Sequence, residues 1–220
     1  MFHSIGAPDL YHYSQDDFTP VGSWDLMEWN TDPPQHMGAY MKYRYGGWIP
    51  SIPTITDSYG TYSLNDLTEE ENNCFKIDSP YSANEYFVVE NRNQIQEPTL
   101  PGSGLIVYRI NSIEEGAGNS EGPPDEVYIY RPDGTLANDG EINDANFSTD
   151  VGRTVINDIT NPSPFLSNGN IGGLNINNIG NSGNTITFNY LGNPSISGYV
   201  LTIENIGIGG VTITFTSENE

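Results

Sequence analysis

Glu85-Tyr86-Phe87-Val88-Val89-Glu90 and Gly104-Leu105-Ile106-Val107-Tyr108-Arg109-Ile110 are two short apolar runs rich in β-branched and aromatic residues. Such runs, bounded by Gly, Asn, Ser and Pro, predict strands. Glu126-Val127-Tyr128-Ile129-Tyr130-Arg131 is a third, followed by the turn Pro132-Asp133-Gly134. In Thr185-Ile186-Thr187-Phe188-Asn189-Tyr190 the alternation puts Ile186, Phe188 and Tyr190 on one face of a fourth strand. Together they predict a β-sandwich-like, β-rich domain over residues 51–192. The fold class is therefore mainly β, with one or two helices near the N-terminus.

The composition agrees. Of 220 residues 35% are hydrophobic and 11% aromatic, enough for a sizeable core, and 24 Gly with 15 Pro supply many turns. Seven Lys plus Arg stand against 29 Asp plus Glu, a formal net charge of −22. That surface repels phosphate backbones and anionic lipid, which excludes nucleic acid and membrane as main partners. No apolar run reaches membrane-spanning length. Cys74 is the single cysteine, so no internal disulfide forms, and beside Phe75 it reads as a small buried apolar residue.

Residues 1–50 differ in character. They hold all three histidines, His3, His12 and His36, and are dense in Trp, Met and Tyr. Asp32-Pro33-Pro34-Gln35 reads as a helix start, with Asp32 as cap, Pro33 at the first helical position and Gln35 completing a capping box. The helix is expected to present Met37, Tyr40, Met41 and Tyr45 on one face and to end at Gly46-Gly47.

His3-Ser4-Ile5-Gly6-Ala7-Pro8-Asp9 matches the His-x-x-Gly-x-x-Asp half of the long zinc-peptidase signature H-E-x-x-H-x-x-G-x-x-(H/D). In that signature two His four apart on a helix reach the metal, and the Glu between them is general base on the zinc-bound water. Gly6 stands where the chain must turn, Ala7-Pro8 keeps the exit from being helical, and Asp9 stands at the third-ligand place. His12 is the alternative ligand, because Asp9-Leu10-Tyr11-His12 can present either side chain. Otherwise His12 and His36 read as hydrogen-bonding structural residues.

The series Gly6-Ala7-Pro8-Asp9-Leu10-Tyr11, Pro20-Val21-Gly22-Ser23-Trp24-Asp25-Leu26-Met27 and Pro33-Pro34-Gln35-His36-Met37, with the β-rich continuation, resembles the immune inhibitor A-type secreted bacterial zinc metallopeptidases over about residues 1–190. The resemblance implies a metzincin-like catalytic domain in which His3 is the second zinc ligand, Asp9 the third, and Met27 the methionine turn beneath them. It gives residues 1–50 as the C-terminal piece of that domain, beginning inside the H-E-x-x-H motif. The first His and the Glu base then precede residue 1. No catalytic residue lies in this chain, and it is expected to be inactive alone. The implied cofactor is zinc; the acidic composition makes calcium a further candidate, and acidic loops such as Asp16-Asp17 and Asn143-Asp144-Ala145-Asn146 suit the calcium-binding alternative given below. The implied substrates are proteins or peptides, and the parent is expected to be a secreted or cell-surface monomer. Ile196-Ser197-Gly198-Tyr199-Val200-Leu201 and Val211-Thr212-Ile213-Thr214-Phe215 resemble the opening of a prealbumin-like β repeat, expected over 193–220 and cut short. The alternative is a non-catalytic, acidic β-sandwich module of a secreted or surface protein that binds calcium or glycan.

Overall fold

The structure is a computed structural model and describes residues 2–14 and 18–192. The expected repeat over 193–220 and the Asp16-Asp17 pair lie outside the described residues.

The fold is mainly β, with two antiparallel sheets. Strands β1 (Tyr59–Asn65), β2 (Cys74–Asp78), β3 (Glu85–Arg92), β4 (Gly104–Asn111), β5 (Val127–Ile129), β6 (Ile176–Asn177) and β7 (Thr185–Leu191) follow in chain order. They form a four-stranded sheet, β2-β3-β4-β5, and a three-stranded sheet, β1-β7-β6. β3 and β4 pair from Glu85↔Asn111 to Arg92↔Gly104.

Every residue of β4 is buried, and the apolar stretch Leu105–Tyr108 within it follows from that. A strand turns successive side chains to opposite faces, so a run apolar throughout needs cover on both sides. Phe87, Val89, Leu105 and Val107 face a core shared with Leu64, Ile176, Ile186 and Phe188 of the second sheet. Val88, Ile106, Tyr108 and Ile110 face the other way, into a core completed by Trp24, Met27, Met37, Tyr40 and Met41. The described residues among 2–50 thus cover the outer face of the four-stranded sheet. Cys74 is buried in this second core, and burial pushes its thiol up to about 12.

Two sequence readings are corrected. β5 spans only Val127–Ile129, flanked by single hydrogen bonds to β4 at Glu126 (from Asn111 N–H) and Tyr130 (to the Val107 carbonyl), while Ile129 N–H on its other edge donates to the Pro20 carbonyl. The helix begins at Ala39, not at Asp32-Pro33, and continues as a wider turn over Lys42–Gly46 before Gly47, at φ 65, ends it. Its first donors are taken by tertiary carboxylates: Gly38 N–H by Asp25 Oδ2 (2.7 Å) and Ala39 N–H by Glu90 Oε2 (2.6 Å). Gln35 serves the loop instead of a cap, its amide donating to the carbonyls of Ser23 and Trp29. Gly38 must lack a side chain, since a Cβ there would lie 2.7 Å from the Tyr108 hydroxyl. The expected helix face survives the later start: Met37, Tyr40 and Met41 are buried, and Tyr45 packs against them.

Candidate metal centre

Phe2–Ile5 is one tight helical turn, and Gly6, at φ +87, reverses the chain after it. That backbone lets only glycine sit without strain. The reversal brings the Ala7 carbonyl to 2.9 Å from His3 Nδ1. A ring nitrogen facing a carbonyl carries the hydrogen, so Nε2 is the atom left with the lone pair in the neutral ring. Nε2 lies 3.2 Å from Asp9 Oδ1. In that tautomer the Nε2 lone pair and a carboxylate oxygen face each other, an arrangement that a cation beside both atoms would suit. With zinc–ligand bonds of about 2.0–2.1 Å, the edge of a tetrahedron is about 3.3 Å. The pair has the spacing of two neighbouring ligands, and the imidazole side is open, with 62% of its side chain exposed.

Asp9 is held from several directions. Tyr13 donates its hydroxyl to Asp9 Oδ2, and this bond pushes the phenol up to about 12, so it remains a donor. Asn119 N–H donates to the Asp9 carbonyl (2.9 Å), and the Asn119 amide donates to the Leu10 carbonyl (2.9 Å). Gly118 permits this approach, since a Cβ there would lie 2.3 Å from the Asp9 carbonyl oxygen.

Met27 lies next to the same strand of chain. Leu10 N–H donates to the Met27 carbonyl (3.1 Å), and the Met27 side chain is buried. It sits in a tight turn governed by Asp25, whose Oδ1 accepts from Met27 N–H (2.8 Å) and whose carbonyl accepts from Glu28 and Trp29. Burial raises the Asp25 carboxyl to about 6, opposed by the Gly38 and Met27 N–H groups and by Arg92. The structure therefore brings His3 and Asp9 side by side and ties the Met27 turn to Leu10, the residue after Asp9. His12 is directed elsewhere: its Nε2 lies 2.6 Å from Asp125 Oδ1, with both side chains buried. His36 Nδ1 faces Lys42 Nζ at 3.1 Å, and burial lowers the pKa of both groups.

As a donor set, His3 and Asp9 suit zinc but supply two of the three protein ligands a catalytic site uses. Among the described residues no group of three or more His, Cys, Asp or Glu is arranged to hold a metal ion. In the loop around Asn143-Asp144-Ala145-Asn146, Arg153 Nη2 donates to the carbonyls of Asp144 (2.7 Å) and Asn146 (3.0 Å).

Beside the turn runs a groove of about 960 Å³, walled by Phe2, Leu26, Trp48 and Ile49 and rimmed by Glu69, Glu70 and Glu71. Among the described residues no helix is long and apolar enough to cross a membrane.

Tyr13 and Asn119 were not legible as supports of the site. Tyr13 acts across a turn of irregular backbone, and Asn119 arrives from a loop far along the chain. Comparison with protein-family models, curated proteins and solved structures gives no match.

Proposed function

We propose that residues 1–50 carry the ligand turn and methionine floor of a metzincin-like zinc endopeptidase, secreted or surface-bound, acting on proteins or peptides as a monomer. The observation that carries this reading is the approach of His3 Nε2 to Asp9 Oδ1 at 3.2 Å, with Nδ1 tied to the Ala7 carbonyl. A backbone carbonyl on the second nitrogen fixes tautomer and ring orientation, which is what metal-binding histidines require. The hydrogen bond from Leu10 N–H to the Met27 carbonyl, which ties the Met27 turn to the segment after Asp9, supports the same reading. His3 and Asp9 would hold the zinc, while Tyr13 and Asn119 keep the Asp9 side chain and backbone in position. Zinc held there would supply the activation of a water for attack on a peptide carbonyl.

In this register the first His and the Glu base lie just before residue 1, so the 220-residue chain alone is not expected to hydrolyse peptides. The test begins with the coding sequence upstream of Met1, which should read His-Glu in frame. The protein extended through that motif should cleave casein, lose activity to a chelator, and fall at least about 100-fold on His3→Ala. An upstream sequence without His-Glu, or casein cleavage indifferent to His3→Ala, refutes the reading.

A further inference from the structure

The groove beside the ligand turn has walls and rim of different chemistry. Phe2 and Leu26, neighbours in sequence of His3 and Met27, line it together with Trp48 and Ile49. Phe2 meets Trp48 edge-to-face at 6.0 Å, yet Trp48 remains 56% exposed and offers its ring to the groove mouth. An exposed aromatic at a concave apolar wall fits a large apolar side chain.

On the rim, Glu69, Glu70 and Glu71 are exposed and consecutive. Their backbone is fixed: Glu69 N–H donates to the Asp66 carbonyl (2.9 Å), and Asn65 donates to the Glu71 carbonyl (3.0 Å). Their carboxylates make no hydrogen bond or ion pair among the described residues. The cation lining the groove, Lys42, is engaged by His36 Nδ1 (3.1 Å) and the Leu67 carbonyl (3.3 Å). Three unpaired carboxylates beside a low-dielectric wall give that part of the groove lining a negative field.

We infer that this groove is a peptide subsite taking a large apolar side chain adjacent to a lysine or arginine. The apolar residue packs against Phe2, Leu26 and Trp48, and the neighbouring cation lies over Glu69–Glu71. The inference assigns a substrate class to the peptidase reading and rests on it for the peptide's being cleaved. Binding needs neither zinc nor the upstream motif.

Fluorescence anisotropy on the 220-residue chain, at low salt with chelator present, measures this directly. The probes are labelled hexapeptides with a central Phe-Lys, Phe-Glu or Gly-Lys. Phe-Lys should bind at least about tenfold tighter than either of the others. The preference over Phe-Glu should fall below about threefold in the triple variant E69Q/E70Q/E71Q, and persist in the remote triple E121Q/E141Q/D144N. The remote variant matters because the net charge of −22 attracts any cationic peptide. Equal binding of Phe-Lys and Gly-Lys, a preference untouched by the groove triple, or no binding overturns the inference. Loss of the peptidase reading would instead be seen upstream of Met1 and in casein cleavage, leaving these affinities unaltered.

Discussion

Glu28, next to Met27, is a half-buried residue whose carboxyl is held by backbone. Its Oε2 accepts from Val21 N–H (2.5 Å) and Gly22 N–H (2.6 Å). Burial raises it from 4.5 to about 8, outweighing those two donors and Arg131. The folded state thus binds this proton more tightly than the unfolded chain does. Its stabilising effect is full below pH 4.5 and is lost as pH rises through about 8. Gln at this position keeps the accepting oxygen and cannot ionise. Thermal melts should therefore show the wild type losing several degrees relative to Glu28→Gln between pH 5 and pH 8, at about 2–4 °C per kcal/mol for a chain of this size. Parallel curves would mean that Glu28 is not held protonated. Asp25, raised to about 6, acts in the same direction in both proteins and cancels in the comparison. At this scale the spacing of His3, Gly6 and Asp9 was readable because one short turn joins them. The pairing of His12 with Asp125 was not, because it spans 113 residues.

Among the elements, β3 and β4 were legible as continuous apolar runs, and β7 as an alternating one. β1 was not, because only Leu64 of its seven residues is buried. The helix was legible in its apolar face and its glycine stop. Its start was misread because the true partners of its first N–H groups, Asp25 and Glu90, are distant in sequence. Glu90 belongs to a buried network on β3. Arg92 bonds Glu97 through Nε and Nη2 (both 2.7 Å), Glu90 (3.0 Å) and the Trp24 carbonyl (2.7 Å), and Tyr108 donates to Glu90. This network ties the Asp25–Ala39 segment to the sheet. Removing the cation alone strands two buried carboxylates, so Arg92→Met should cost about 3–5 kcal/mol in urea unfolding. A loss under about 1 kcal/mol would show the network to be dispensable.

For the whole molecule, the four-stranded sheet is the shared wall of two cores. Val88 and Val89 are consecutive and fully buried, yet face opposite cores. Each changed to Ala should cost about 2 kcal/mol. Tryptophan fluorescence and far-ultraviolet circular dichroism should report one coincident transition in both variants, since neither core closes without the sheet. Two separated transitions would instead make residues 2–50 an independently folding unit. The sequence by itself determined the class: apolar runs of strand length, turn residues between them, and a short His-Gly-Asp turn whose parts lie within a few residues. Those signals are local, carried by periodicity and by glycine's conformational freedom. Only the tertiary structure decided which face of each strand meets which core, and what starts the helix. It also decided that His12 pairs with Asp125 while Asn119 supports Asp9. Those outcomes depend on desolvation and hydrogen bonding between groups far apart in the chain, which no local pattern encodes.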